Sequence, residues 1–254
     1  MTVKNKRALG QNFIFDKNFL NKISNLITSD YNNSIIEIGP GPGTLTEYLF
    51  KKNYRSMILI EKDHRLILNL KKKFSKENVI ILNEDALDFD FQKSSINNSI
   101  IVGNLPFNIS VSLLYNWTKI KNWPPKQKIM ILMFQKEVAN RIIATQNNKA
   151  YGKLSVVVQS RYKIKKMLDV PSTVFTPPPK VDGTILEFKP HNLYQSINID
   201  IIDEVSKAAF SQRRKKIKNN MSKYIEILKK LSIDENLRPE NLSVFDYCEI
   251  AKNI

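Results

Sequence analysis

Four consecutive residues, Asn104-Leu105-Pro106-Phe107, combine groups that could hold a planar amine for methylation. Proline has no N–H and restrains the residue before it to extended geometry, which can aim the Asn104 amide oxygen and the Leu105 carbonyl at one small volume. Two acceptors there could bind an exocyclic amine while Phe107 stacks on the attached ring. Because Asn-x-Pro also occurs in ordinary turns, the tetrapeptide predicts an amine site only together with the rest of the chain.

A glycine-rich turn follows the apolar residues 34–38. The turn is Gly39-Pro40-Gly41-Pro42-Gly43, and Thr44 after it could cap a helix. Glycines let the backbone approach a ligand closely, and the same turn serves nicotinamide cofactors and S-adenosylmethionine. Three details disfavour a dinucleotide: the G-x-G-x-G spacing, the two prolines without N–H groups for a pyrophosphate, and the acid Glu37. A carboxylate suits the ammonium and sulfonium charges of S-adenosylmethionine, so we expect Gly39 and Gly41 to bind that cofactor.

Two acids follow the next two apolar runs. Glu61 ends the run 56–60, about 20 residues after the turn, where an acidic side chain accepts hydrogen bonds from ribose hydroxyls. Asp85 follows the run 79–82 and could accept from the amino group of the cofactor's adenine. Either acid alone is typical of a solvated loop, but acids after successive strands fall at one edge of a sheet, where ligands bind.

Hydrophobic periodicity predicts a sheet built from βαβ units. Strands are predicted over residues 34–38, 56–60, 79–82, 99–102, 128–134, 154–162 and 184–188. Helices are predicted over residues 44–51, 64–74, 111–117 and 136–144. The last two strands have no long helical segment between them, which predicts an antiparallel hairpin at the edge of an otherwise parallel, doubly wound sheet.

The pattern changes after Pro190, which divides the chain into predicted domains of residues 1–190 and 191–254. Residues 191–198 are polar, and no strand pattern follows them, so we expect a small helical domain. A dense run of cations lies within it, and Arg213, Arg214, Lys215, Lys216 and Lys218 could neutralise phosphates of a folded RNA. A solvated helix face is the alternative for a lysine-rich chain, but adjacent arginines suit bidentate phosphate contact.

Composition sets wider limits. A net charge of +16 over 254 residues favours a polyanionic partner, either nucleic acid or an anionic membrane surface. No apolar run approaches the length of a bilayer span and the N-terminal residues are polar, so we expect a cytoplasmic protein without a membrane segment. The single cysteine, Cys248, and two distant histidines predict no metal site. No extended apolar stripe requires a dimer, and we expect a monomer.

In this order, the glycine-rich turn, the two acids and Asn104-Leu105-Pro106-Phe107 resemble the Rossmann-like methyltransferases that dimethylate rRNA adenines at N6. The resemblance covers almost the whole chain. The N-terminal Arg7-Ala8-Leu9-Gly10-Gln11-Asn12-Phe13-Ile14 looks like the family signature that closes over S-adenosylmethionine, with Ile14 where leucine is usual. Three further segments look like the small-subunit (16S) rRNA enzymes: Asn104-Leu105-Pro106-Phe107-Asn108-Ile109-Ser110, Phe175-Thr176-Pro177-Pro178-Pro179-Lys180-Val181-Asp182 and Leu237-Arg238-Pro239-Glu240-Asn241-Leu242-Ser243. Phe107 replaces the commoner tyrosine and keeps the stacking face.

The resemblance implies a Rossmann-like methyltransferase fold with a small all-α C-terminal domain. It implies that two adjacent adenosines in a small-subunit rRNA hairpin each receive two methyls, within the immature small ribosomal subunit. It also implies that Asn12, Ile14 and Asn104 contact S-adenosylmethionine. Lys4, Lys6 and Arg7 are further candidate RNA contacts.

Three alternatives remain open from the sequence: a non-catalytic assembly factor that binds rRNA, a large-subunit rRNA methyltransferase of the macrolide-resistance type, and a nicotinamide oxidoreductase. The Leu237–Ser243 segment speaks against the second, and Glu37 and the prolines against the third. Cofactor binding would exclude the third directly.

Overall fold

The computed structural model describes residues 12–92 and 97–254. These residues divide into two compact units. The first comprises the described residues up to Asn116 with Pro125–Lys136 and Lys165–Lys189, and the second comprises Trp117–Pro124, Glu137–Ile164 and Pro190–Ile254. The domain boundary predicted at residue 190 stays a prediction. The second unit contains the chain from Pro190 onward and also two segments from earlier in the chain.

A sheet of seven strands forms the centre of the first unit, in the order β4-β3-β2-β5-β6-β9-β7. The strands are β2 (Ser34–Ile38), β3 (Ser56–Ile60), β4 (Val79–Leu82), β5 (Ser99–Gly103), β6 (Gln127–Gln135), β7 (Tyr162–Val170) and β9 (Gly183–Pro190). Strands β2 to β6 pair in parallel and β9 pairs antiparallel with β6. The predicted mostly parallel sheet with an antiparallel final strand is confirmed. Strands β2 and β5 are buried along their whole length, as expected for parallel strands covered on both faces.

Helices join these strands. They are α1 (Lys17–Asn25), α2 (Thr46–Leu49), α3 (His64–Lys73), α4 (Ser110–Thr118) and α5 (Lys136–Ile143). Helices α1 and α3 begin at acidic caps, where Asp16 accepts the N–H of Phe19 and Asp63 accepts that of Arg65. A separate two-stranded sheet pairs β1 (Phe13–Ile14) with β8 (Phe175–Thr176).

The second unit is helical apart from the start of β7. It contains α5 from its second residue onward, together with α6 (Lys153–Gln159), α7 (Ile199–Ala209), α8 (Ile217–Asn220), α9 (Ile225–Lys230) and α10 (Val244–Lys252). Helix α7 packs on α6 and α10, and an aromatic cluster of Tyr151, Phe210 and Tyr247 fills the space nearby. From residue 199 to the end the chain forms helices and turns only, as the sequence predicted.

The predicted strand over residues 154–162 is wrong. Those residues form helix α6, and the strand begins only at Tyr162. The run Leu154–Val158 is buried on every side, and a short apolar run cannot distinguish a buried helix from a buried strand. The real strand was missed because lysines occupy much of it, with Lys163, Lys165 and Lys166 all exposed. Such charges are common on the edge strand of a sheet, which is where β7 lies.

The predicted helix over residues 44–51 is shortened to α2, and Thr44 does not cap it. The cap position is Leu45, which offers no side-chain hydrogen bond. The hydroxyl of Thr46 instead donates to the buried carboxyl of Glu37 at 2.7 Å.

Candidate active site

The register of the parallel strands brings the candidate residues to one edge of the sheet. Ile38 lies opposite both Ile60 and Gly103, and Ile60 lies opposite Leu82. The residues that follow these strand ends therefore leave the sheet at the same level. The chain order also reverses between β2 and β5, since β3 and β4 lie on one side of β2 and β5 on the other. Ligands of open α/β sheets bind at such a switch point, beyond the carboxyl ends of the strands.

A cleft of about 190 Å³ opens at this edge. Seven of the residues predicted for the site line it together: Asn12, Gly39, Glu61, Asp85, Asn104, Pro106 and Phe107. Leu105 lines it as well, although its side chain is only 1% exposed. The whole tetrapeptide thus faces the same cavity as the glycine-rich turn and both acids.

The Asn104 amide is held in one orientation. Its Nδ2 donates to the main-chain oxygen of Asn12 at 3.0 Å. A carbonyl oxygen only accepts, so the nitrogen of the amide must face Asn12, and Oδ1 is the atom that can accept from a substrate. A Cβ on Gly103 would approach Leu105 Cδ2 to 2.7 Å. Glycine at this position therefore leaves room for the Leu105 side chain just before the tetrapeptide begins.

Glu61 is buried at the end of β3 with both carboxylate oxygens in use. Oε2 accepts the N–H of Gly41 at 3.0 Å and Oε1 accepts that of Asp63 at 2.8 Å. Burial raises the pKa of Glu61, and the two N–H groups oppose that rise. Each carboxylate oxygen has a second lone pair, so Glu61 can still accept from neutral hydroxyl groups.

Asp85 is a charged acceptor at the same cleft. Burial acts to raise its pKa, but the hydrogen bonds from Lys62 and from the Leu87 N–H, with the Lys62 charge, leave the pKa below its usual range. Lys62 Nζ reaches Oδ2, and the N–H of Leu87 reaches Oδ1 at 3.0 Å. The ionised carboxylate is therefore held in place with lone pairs left for an amine N–H.

The glycines of the turn have different surroundings. Gly39 has a φ of +66° and nothing within 4 Å of a Cβ built on it, so its backbone faces open space in the cleft. Gly41 has a φ of +58°, and a Cβ there would come within 2.4 Å of the Phe13 ring. Gly41 does not line the cleft; its N–H supports Glu61 instead.

Two other expected contacts lie beside the main cleft. Ile14 is 3% exposed and borders a smaller neighbouring cavity with Glu37, Gly39 and Asn104. Burial raises the pKa of Glu37 to about 7, despite the hydrogen bond from Thr46. The expected contact of Ile14 with S-adenosylmethionine stays a prediction.

A family model for ribosomal RNA adenine dimethylase matches residues 2–254. The chain belongs to the ribosomal RNA adenine dimethylase family.

Relatives agree with this assignment along the whole chain. The chain is 38% identical to the ribosomal RNA small subunit methyltransferase A of Pelagibacter ubique, over 99% of this chain and 97% of the relative. It is 40% identical to the protein of that name from Wigglesworthia glossinidia brevipalpis, over 98% and 97%. Among solved structures it resembles a dimethyladenosine transferase from Plasmodium falciparum with a TM-score of 0.82 and 25% identity, covering 95% and 96% of the two chains. The 23S rRNA methyltransferase ErmE shares the fold, with a TM-score of 0.68 and 20% identity over 95% and 100%.

Residues 213–216 of the cationic run form a turn between α7 and α8, and Lys218 lies in α8. Arg214, Lys215 and Lys216 are exposed. Arg213 pairs instead with Glu240 at 3.2 Å, and Lys216 and Lys218 both donate to the Asn236 amide oxygen. The run is therefore partly tied to its own unit, and Arg214 and Lys215 are its most available cations. The candidate contacts Lys4, Lys6 and Arg7 lie outside the described residues.

Sequence reasoning missed several residues at the cleft. Lys62, Phe13 and Phe175 all line it. Lys62 directly follows Glu61, so its position after a strand end was an available signal. Phe175 reaches the site by pairing with Ile14 across 161 positions of sequence, which no local pattern predicts.

Within the described ranges, no helix combines the length and apolar character needed to cross a membrane. Nor does any group of three or more His, Cys, Asp and Glu side chains in that part of the chain suit a metal ion.

Proposed function

We propose that this protein transfers methyl groups from S-adenosylmethionine to N6 of two adjacent adenosines in a hairpin of the small-subunit (16S) rRNA, giving N6,N6-dimethyladenosines during small-subunit maturation. The observation that carries the proposal is the shared cleft, lined by Asn104, Phe107, Gly39, Glu61 and Asp85. Membership of the adenine dimethylase family and the names of the full-length relatives support the choice of substrate.

The cleft fits the methyl donor chemically. Gly39 leaves open space where a side chain would stand, so a ligand can approach its backbone. Glu61 offers acceptors for ribose hydroxyls and Asp85 an ionised acceptor for the adenine amino group. Bound S-adenosylmethionine would supply an electrophilic methyl group on its sulfonium.

The protein's part in the transfer is orientation. The lone pair of an adenine N6 is delocalised into the ring, so the amine is a poor nucleophile. Asn104 Oδ1 and the Leu105 carbonyl would accept hydrogen bonds from the two N–H groups of the amine. These bonds favour a tetrahedral nitrogen whose lone pair is directed away from both acceptors. Phe107 would hold the extruded base by stacking, worth roughly 1 to 3 kcal/mol. No strong general base is required, because the N6 proton becomes acidic once the methyl is attached.

Incubation with methyl-labelled S-adenosylmethionine and two substrates tests the proposal: immature small subunits and bare large-subunit rRNA. We expect label in the small-subunit RNA only. Label in the large-subunit RNA alone would indicate the macrolide-resistance type of activity. Binding of immature subunits without S-adenosylmethionine binding by calorimetry would indicate a non-catalytic assembly factor.

A further inference from the structure

Asn12 and Asn104 are 92 residues apart in sequence, but the Asn12 carbonyl oxygen accepts a hydrogen bond from Asn104 Nδ2 at 3.0 Å. Among the contacts of the described residues, this hydrogen bond decides which end of the Asn104 amide faces the cleft. An Asn side chain turned by 180° would present two N–H donors to the substrate amine, which also donates. Such an arrangement would repel the amine that Asn104 is proposed to bind.

Asn12 directly precedes a strap made from two distant parts of the chain, the paired strands β1 and β8. Phe13 lies opposite Thr176 and Ile14 opposite Phe175, and both Ile14 and Phe175 are 3% exposed. The Phe13 ring also covers the glycine turn so closely that a Cβ on Gly41 would lie 2.4 Å from it. The strap therefore contacts the turn through Phe13, and the adjacent residue Asn12 contacts the Asn104 amide.

We propose that the main-chain carbonyl of Asn12 positions Asn104 for transfer, so that the seated strap, and not Asn104 alone, makes the amine acceptor competent. The inference rests on the proposed function and assigns the strap a role in orienting Asn104. Asn12 acts through Asn104 and is a positioning residue.

The variant Asn104→Asp separates this role from simple acceptance. An ionised carboxylate keeps an oxygen acceptor for the amine but has no hydrogen to donate, and it repels the Asn12 oxygen. A protonated carboxyl regains one O–H donor for Asn12 and keeps one oxygen for the substrate. The ratio of kcat for Asn104→Asp to kcat for wild type should rise roughly tenfold per pH unit as pH falls, until the carboxyl is protonated.

Two matched variants serve as controls. Asn104→Ala has no titrating group, so its low kcat ratio should not change with pH. Asn116→Asp makes the same substitution at an exposed position of α4, and its ratio should stay near one at every pH. Calorimetric binding of S-adenosylmethionine by Asn104→Asp at each pH shows whether the variant is folded where it is inactive.

A flat kcat ratio for Asn104→Asp, or one that rises with pH, would overturn the inference while the wild type remains active. Inactivity of the wild type on small-subunit RNA would instead overturn the proposed function.

A measurement on the unsubstituted protein does not depend on whether the variants fold. NMR of the Asn side-chain amides should show slower proton exchange at Asn104 than at the exposed Asn116, and equal exchange would count against the hydrogen bond.

Discussion

The carboxylate of Glu61 accepts the main-chain N–H of Gly41 at 3.0 Å. This contact joins the end of β3 to the glycine-rich turn that follows β2. A second hydrogen bond, from the N–H of Asp63, fixes the other carboxylate oxygen. Glu61 thus shapes the turn and lines the cleft at the same time.

Replacing Glu61 with alanine should weaken binding of S-adenosylmethionine and lower the melting temperature. Hydrogen bonds to a charged group contribute about 1.5 to 3 kcal/mol, which corresponds to roughly 10- to 150-fold in Kd. Calorimetry measures the binding and circular dichroism the melting. Glu77→Ala removes an exposed carboxylate and is the matched control, with no change in Kd expected. Unaltered binding by Glu61→Ala would remove Glu61 from the cofactor site.

Glu37 should make the protein less stable as pH rises. Burial raises its pKa to about 7 in the folded protein from an ordinary value of 4.5. Between these values the folded protein holds a proton that the unfolded chain releases, so the free energy of unfolding falls as pH increases. The loss is at most about 3 kcal/mol, since one pKa unit is about 1.4 kcal/mol.

Urea denaturation at pH 5 and pH 8 tests this effect. The difference in unfolding free energy between the two pH values should shrink in Glu37→Gln, which keeps a partner for Thr46 but does not titrate. Glu77→Gln should behave as wild type. The same pH dependence in wild type and Glu37→Gln would show that Glu37 is ionised when folded.

Phe107 should contribute to RNA substrate binding through its ring and not through a polar group. We expect Phe107→Ala to reduce kcat/KM for the RNA about 5- to 150-fold, from a stacking energy of roughly 1 to 3 kcal/mol. Phe107→Tyr keeps the stacking face and should remain close to wild type. Steady-state kinetics with immature subunits measures both, while the Kd for S-adenosylmethionine reports any damage to the cofactor site. Equal losses in the two variants would argue against stacking.

Much of the first unit could be predicted from the sequence because its parallel strands are apolar runs of ordinary length, and the strands that carry the site are followed by distinctive residues. The glycine turn, Glu61, Asp85 and Asn104 were all placed after strand ends, and parallel register then brings them together. The distinction between helix and strand failed at residues 154–162, where burial on all sides removes any periodicity.

Contacts between distant segments were the other gap. No local pattern shows that the Asn12 carbonyl meets Asn104, or that Gly41 faces Phe13 and not the cleft. In the same way, the pairing of Arg213 with Glu240 joins two segments whose sequences gave no sign of contact. Such contacts depend on the packed structure as a whole.

Arg214 and Lys215 should carry part of the electrostatic affinity for RNA. The double variant Arg214→Ala/Lys215→Ala should reduce the slope of log K against log salt by about 1.5, at roughly 0.7 to 0.9 per lost phosphate contact. Filter binding to immature subunits over a salt series gives the slope. Lys71→Ala/Lys72→Ala removes two exposed charges from the end of α3 and should leave the slope unchanged. If the two double variants give the same slope, Arg214 and Lys215 belong to a solvated surface that does not contact the RNA.

The most direct measurement of the central claim is the position of methyl groups on small-subunit RNA after reaction with wild type and with Asn104→Ala. The RNA is digested and its fragments are sequenced by mass spectrometry. We predict two adjacent N6,N6-dimethyladenosines with the wild type and almost none with Asn104→Ala, although the variant retains binding of S-adenosylmethionine. Wild-type turnover by Asn104→Ala, or methyl groups on atoms other than adenine N6, would contradict the account.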